Sequence, residues 1–500
     1  MLPRRTLLAI LCASMTFGCA VGPDYRRPDA PLQAHYVQSQ GHVGHGQVVS
    51  NAGQDAWWES FNDPLLVSLV NTALDQNLDI AQASARMAQA KAGVGAAEAA
   101  LQPIGAVSAS AARAQQSLED QMGRVLSQNP KYDRWGNAYT ANLSASWELD
   151  VFGGLKRETE AAVADYQASQ AGVAATRLVV EAQVADIYIL IRGLQARLDI
   201  AKQQVQTQQG LLAKVTLLYQ RGVAAENQVH QSEAALAQAQ AAVPVLQAGL
   251  DSAMNALDVM LGTPPGTNRD KLAAATPIPL PPQIASVGSP SDLLERRPDL
   301  IVAERKLVAL NAQVGEAISE YYPKFSLGAL IGSATTIASR NLFTDKSSQM
   351  AGVLGLRWRL FDFNRIDAEI KVAKGRQSEG LAAYRQAVLR ATEDVESATS
   401  AMVNREEQSA VLSRGEASLI RARASAEAAH RHGAASEIDV LHADAVVLTM
   451  ADARAQAQTE SARTAVALFK ALGGGWQDQP AHVLSVASEL DSNSHLGSRE

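Results

Sequence analysis

The clearest alternation of apolar and polar positions lies at 139–149. There Tyr139, Ala141, Leu143, Ala145, Trp147 and Leu149 alternate with Thr140, Asn142, Ser144, Ser146, Glu148 and Asp150. Period two over that stretch predicts a β-strand with one apolar and one polar face. Its length fits a membrane-crossing strand of about 9–11 residues, with Tyr139 and Trp147 near the two water interfaces. Gly352, Leu354, Leu356, Trp358 and Leu360 share a face against Arg357 and Arg359, which predicts a second such strand at about 350–360. Weaker alternation places partner strands at about 104–115 and 324–335. On this pattern alone, a soluble antiparallel sheet fits as well.

Elsewhere the period changes. Val184, Ile187, Ile191, Leu194, Leu198, Ala201, Val205, Leu212 and Val215 keep a three–four spacing, the seam of a helix packed along another helix. Two long helices are predicted, about 155–220 and 364–431; at 1.5 Å per residue each is a rod of about 100 Å. Shorter helices at 64–101 and 228–260, and at 289–321 and 436–471, add up pairwise to about the same span. Pro244 is expected to kink or interrupt its helix, because it removes a backbone donor. Gly172, Gly193 and Gly210 mark weak points of the first rod or places of close approach.

The chain is duplicated. Trp147-Glu148-Leu149 returns as Trp358-Arg359-Leu360, and Arg221-Gly222-Val223-Ala224-Ala225 as His432-Gly433-Ala434-Ala435-Ser436, both at an offset of 211. Asp79, Gly95 and Pro103 match Asp299, Gly315 and Pro323 at an offset of 220. Repeat one is 64–262 and repeat two 290–475, joined by a Pro-rich connector at 263–289. Each repeat reads helix, strand, loop, strand, long helix, glycine turn, helix. The fold class is mainly α with a small β part. Four spanning strands cannot close a barrel, since membrane barrels need about eight or more and an open edge in lipid leaves amides unpaired. The chain is therefore expected to join copies of itself, and staves attached to a barrel make a conduit.

Composition narrows this picture. Aromatic residues are 5%, so the helices are expected to pack through small side chains. The net charge of −7 becomes −9 once Arg4 and Arg5 leave with a leader, and no basic run suggests nucleic acid as a partner. Arg4 and Arg5 followed by apolar Leu7 to Phe17 read as a secretory signal, residues 1–18. Cys12 leaves with it, and Cys19 after Gly18 stands where a lipoprotein leader is cut, although Thr16 and Phe17 depart from the usual pattern. A plain signal peptide with an unmodified Cys19 is the alternative. Residues 19–63 would form an extended, lipid-anchored segment, and 476–500 a polar tail. No nucleophile–base set, metal motif or phosphate loop stands out. Gly93-Val94-Gly95 follows no strand and reads as helix packing. His35, His42 and His45 read as part of a flexible linker, with metal binding as the alternative, and His230, His430 and His432 as solvated tip residues, with a pH-sensitive gate as the alternative.

The sequence resembles the TolC-like outer membrane factors, specifically their lipoprotein branch that serves resistance-nodulation-division efflux systems. The resemblance covers nearly the whole chain. It is carried by Cys19-Ala20-Val21-Gly22-Pro23-Asp24-Tyr25-Arg26-Arg27-Pro28 and by Trp57-Trp58-Glu59-Ser60-Phe61-Asn62-Asp63-Pro64-Leu65. Arg296-Arg297-Pro298-Asp299-Leu300 and Tyr322-Pro323 continue it in repeat two. It implies a homotrimer with a twelve-stranded barrel, a long α-helical tunnel, no cofactor and no catalysis. It also implies partners: a periplasmic adaptor (membrane fusion protein), an inner-membrane transporter of the resistance-nodulation-division type, and outer-membrane lipid.

By the same resemblance, Cys19 is the lipidated residue and Tyr139, Trp147 and Trp358 are membrane-interface aromatics. The two glycine turns, Gly222, Val223, Ala224, Ala225 and Gly433, Ala434, Ala435, Ser436, dock the adaptor. Ile438 and Asp439 form apolar and acidic rings of a periplasmic gate, and His442 stands where a second acid is expected. The function implied is a passive exit channel for small molecules from periplasm to exterior. Protein secretion, metal-cation efflux and a soluble coiled-coil scaffold are the competing readings.

Overall fold

The structure is a computed structural model and describes residues 20–37, 56–282 and 289–474. The leader, Cys19, His42, His45 and the tail lie outside the described residues. In chain order, a 3-10 turn at Trp57–Phe61 is followed by α1 (Pro64–Gln76), α2 (Leu78–Ala100), β1 (Ile104–Gln115), α3 (Gln121–Leu126) and β2 (Trp135–Leu149). Then come α4 (Gly154–Gln220), α5 (Glu226–Met260), α6 (Arg269–Ala273), α7 (Leu293–Arg296) and α8 (Pro298–Ser319). The chain ends with β3 (Lys324–Thr335), β4 (Ser348–Arg357), α9 (Phe363–Arg431) and α10 (Glu437–Ala471). It folds into two compact units, and both draw on both repeats.

The first unit, Met1–Asp29, Ala85–Gln170 and Val302–Arg385, holds the sheet. Its strands run in the order β1-β2-β3-β4, every neighbouring pair antiparallel. Opposed residues of an antiparallel pair share a face. One row is Val107, Leu143, Ile331 and Met350; the row beside it is Ser108, Asn142, Gly332 and Gln349. The alternation seen in one strand is thus a property of the whole sheet. Gln349 Nε2 donates to Asn142 Oδ1 across β3 at 2.8 Å. Only a residue without a side chain fits beneath that bond, because a Cβ on Gly332 would collide with Asn142. β1 and β4 pair on one side only and leave two open edges.

Two boundaries differ from the sequence expectation. β2 begins at Trp135 rather than 139, since the ladder with β1 extends to Gln115 opposite Trp135. β4 ends at Arg357 rather than 360, so Trp358 lies just outside the strand. Arg359 explains the early end: its guanidinium bonds Asp362, Glu320 and Glu369, and so turns the chain into α9.

The second unit comprises Ala30–Ser84, Ala171–Ile301 and Gln386–Glu500. Its core is built around Trp57, Leu66, Val70, Val184, Tyr188, Ile191 and Leu257. Trp57 is fully buried and stacks on Phe469 at 5.3 Å. Burying a tryptophan of 150–250 Å² contributes about 4–6 kcal/mol. Asp63 caps α1 through Leu65 N and Leu66 N and accepts from Tyr188 Oη at 2.6 Å. The Trp57–Leu65 motif is therefore a plug and cap for this core.

The expected single helices 64–101 and 289–321 are each broken, at Asn77 and at Arg297. Asn77 starts α2 by accepting from Asp79 N and Ile80 N. Arg297 is held extended by the following Pro298. Pro244 does not interrupt α5. It is solvent-facing, so the carbonyl left without its partner can be met by water. Gly193 is a place of close approach, where a Cβ would collide with Thr459; Gly172 has open space around it.

Candidate functional site

Both helical turns have one geometry. Val223 N bonds Leu218 O and Gly222 N bonds Tyr219 O; Ala434 N bonds Ala429 O and Gly433 N bonds His430 O. This Schellman closure needs a left-handed residue after the helix. Gly222 supplies it at φ +75° and Gly433 at φ +74°. A Cβ on either would meet nothing within 4 Å, so the constraint is backbone conformation and not space. Val223 is 73% exposed; Ala225, Ala434 and Ser436 are exposed, while Ala224 and Ala435 are half-buried. The tips thus present small and apolar side chains to solvent.

The starts of the returning helices also match. Gln228 Oε1 accepts from Ala225 N at 3.2 Å, and Asp439 Oδ2 accepts from Ser436 N at 2.8 Å and from Ser436 Oγ at 2.7 Å. Asp439 is therefore a capping-box acid. The two bonds from Ser436 hold its carboxyl below the usual range, and His442 adds a smaller pull in the same direction. Ile438 beside it is half-buried and His442 exposed. His430 Nδ1 lies 3.0 Å from Ala435 O, and His230 lies 3.0 Å from Glu233.

A ladder of polar bonds ties α10 to α4 along their antiparallel length. Arg463 forks onto Asp186 at 2.8 and 3.0 Å, and Arg197 onto Asp452 at 2.8 and 3.2 Å. Nearer the tips, Thr207 Oγ1 donates to Asp444 at 2.7 Å and Lys214 pairs with Glu437 at 2.7 Å. Arg423 and Arg454 of the α9–α10 pair add bonds from Arg423 to Asp444 at 3.1 Å and from Arg454 to Glu416 at 2.8 Å. No sequence pattern pointed to this ladder. Its signal is that paired residue numbers have a nearly constant sum, which becomes visible only once the two helices are known to be neighbours.

At the other end of the molecule's chemistry is the sheet. Val107 is 83% exposed, Ile331 62% and Leu354 72%, so the apolar face has no cover among the described residues. Trp147 Nε1 donates to Leu101 O at 2.8 Å, and Trp358 Nε1 donates to Tyr321 O at 3.0 Å. Each indole is thereby fixed where a strand meets its neighbouring helix end. Tyr139 lies opposite Ala111 and Thr335 on the same face. At about 3.4 Å per residue, Tyr139 and Trp147 are about 27 Å apart, close to the height of an apolar membrane band.

The segment after Cys19 is strapped to this unit. Val21 N donates to Phe152 O at 3.1 Å, and a Cβ on Gly153 would come within 2.6 Å of Ala20 Cα. Arg157, buried, donates to Val21 O and Gly22 O and pairs with Asp24 at 2.8 Å. Asn311 Nδ2 donates to Pro23 O and Arg27 pairs with Glu304 at 2.6 Å. Among the described residues, no group of three His, Cys, Asp or Glu could hold a metal ion.

The profile of the family described as outer membrane efflux protein matches residues 69–263 and 289–474, which are the two repeats. The chain belongs to that family. The pyoverdine export outer membrane protein OpmQ of Pseudomonas putida is 32% identical over 431 residues, 85% of this chain and 89% of the relative. The cation efflux system protein CusC of Escherichia coli is 28% identical over 483 residues, 94% and 99% of the two chains. The solved outer-membrane channel OprN superposes with a TM-score of 0.80 at 30% identity, covering 92% of this chain and all of that one. The efflux protein is an outer-membrane exit channel with a large helical, periplasmic part.

Proposed function

We propose that the efflux protein is the passive outer-membrane duct of a tripartite pump of the resistance-nodulation-division type, working as a homotrimer. The observation that carries this reading is the sheet: four strands, two open edges and one uncovered apolar face. Three copies joined edge to edge make a closed barrel of twelve strands, which removes every unpaired edge from lipid. The tunnel is continued by the helices, and energy is supplied by an inner-membrane transporter.

The two Schellman tips are the adaptor docks. Small side chains at Ala224, Ala225, Ala434 and Ala435 let another helical tip approach, and Val223 supplies exposed apolar surface. The gate is the start of α10, with Ile438 and Asp439 at the axis. Asp439 both caps α10 and presents negative charge, so a ring of three attracts cations. The ladder from Asp186 to Lys214 restrains α10, and opening requires its outer rungs to part.

Cys19 carries the lipid. Ala20 rests at the corner where β2 passes into α4, one residue from the anchor, so an acyl chain starts beside the bilayer-facing sheet.

Deletion of the gene is expected to raise drug susceptibility and dye retention, and the wild-type copy to restore both. A Gly222→Val, Gly433→Val double variant is expected to insert and trimerise but not restore efflux. Full efflux by that variant would remove the tips from docking. The relation to a cation efflux protein favours metal cations as a second cargo; copper and silver tolerance of the same strains separates the two.

A further inference from the structure

Phe361 is 99% exposed and has φ +66°, a left-handed conformation disfavoured for a residue with a Cβ. It stands at the corner between β4 and α9, and that corner is rigid because Arg359 is fixed by Asp362, Glu320 and Glu369. A rigid corner therefore drives a large aromatic ring outward, with nothing among the described residues to receive it.

The first repeat indicates what receives it. At the matching corner after β2, where the chain leads into β3, Phe152, the counterpart of Phe363, stacks on Tyr322 at 4.6 Å. Asp150 lines a cleft there together with Glu316, Ser319 and Pro323. Shifted by the repeat offsets of 211 and 220, Asp150 becomes Phe361, and Glu316, Ser319 and Pro323 become Ala96, Ala99 and Pro103. Those three residues lead into β1, the opposite open edge of the sheet, and all three are exposed. The joint within the chain sets Asp150 beside Glu316 and Ser319, next to Pro323 and the Phe152–Tyr322 stack; in the outer joint a large aromatic knob stands in place of Asp150, and Ala96 and Ala99 stand in place of Glu316 and Ser319.

We propose that Phe361 of one copy seats on the Ala96–Ala99–Pro103 surface of the next copy, as a knob that locks the β4–β1 seam at the base of the barrel. The inference rests on the homotrimer reading and specifies its contact. The left-handed backbone aims the ring, and shape complementarity at a desolvated apolar joint makes it an anchor of the kind that dominates interfaces.

The test pairs Phe361→Cys with Ala99→Cys in the full chain, isolated in outer membranes and treated with a short bismaleimide. Covalent dimers and trimers are expected from the double variant and not from either single variant. Phe361→Ala is expected to lower the temperature at which SDS-resistant trimers fall apart, with helix content unchanged. Phe361→Gly, which relieves the backbone but also lacks the ring, is expected to fall between wild type and Phe361→Ala. A trimer without cross-links, in which the Phe361→Cys thiol reacts with a lipid-dissolved maleimide, would overturn the proposal and assign the ring to the bilayer. A wild-type protein that is not a trimer in detergent would instead overturn the homotrimer reading beneath it.

Discussion

Asn77 and Arg297 do the same work in the two repeats. Asn77 Nδ2 donates to Met260 O at 2.8 Å, and Arg297 Nη1 donates to Ala471 O at 3.1 Å. Each sits at a helix break and satisfies a carbonyl at the end of the helix that returns from a tip. Their numbers differ by 220, and those of the two carbonyls by 211, which are the two repeat offsets. Arg297 does more, because it also pairs with Asp299 at 2.8 Å and Asp394 at 3.0 Å.

Asn77→Ala should therefore destabilise the fold by about 1–3 kcal/mol, the cost of a buried group left without its partner. Arg297→Ala should cost more, since charge-assisted bonds are lost with it. Thermal unfolding followed by circular dichroism checks the order; equal midpoints for wild type and both variants would contradict it.

Depth in the bilayer should grade substitutions on the apolar face. Leu143→Lys, in the row Val107–Leu143–Ile331–Met350, is expected to cost about 2–4 kcal/mol, and Trp147→Lys less, because it lies nearer the interface. Folding into vesicles at increasing denaturant measures both. Ser144→Lys, on the opposite face, should have the smaller effect of a lumen position; a cost equal to that of Leu143→Lys would reverse the face assignment.

Glu181 gives the periplasmic part a defined pH response. It is 1% exposed, and burial pushes its carboxyl up to about 8, against smaller opposing pulls from Arg177 and Trp57. The folded state thus holds a proton that the unfolded state releases near the ordinary value of about 4.3. Stability should fall as pH rises between those two values and level off above about 8. Glu181→Gln should flatten that slope. An unchanged slope in the glutamine variant would show that another group binds the proton.

Asp439 can be separated into cap and charge. Asp439→Asn keeps an acceptor for Ser436, whereas Asp439→Ala loses it at a cost of about 1 kcal/mol. If the charge sets ion preference, both variants should weaken cation block in planar-bilayer recordings to the same extent. If only the cap matters, the asparagine variant should record like wild type.

The sheet was legible because period two is dictated by the backbone and survives in sequence as Leu143, Ala145 and Trp147 against Ser144 and Ser146. The helix breaks were not legible as breaks. Asn77 and Arg297 interrupt otherwise helical runs to reach carbonyls about 180 residues away along the chain, and local propensity carries no record of such partners. The bonds of Asp439 to Ser436 follow an S-x-x-D spacing that is present in the sequence.

The sequence by itself determined the duplication, the alternating strands, the long helical rods and the glycine turns. Each of these is written in periods or in a local backbone requirement that neighbouring residues set. Tertiary structure alone decided which strand edges stay open, that Asp186, Arg197, Thr207 and Lys214 meet α10, and that Phe361 is left uncovered. The reason is that pairing between distant helices and the exposure of a corner depend on how whole elements are brought together, and no short-range pattern of hydrophobic and polar residues fixes that.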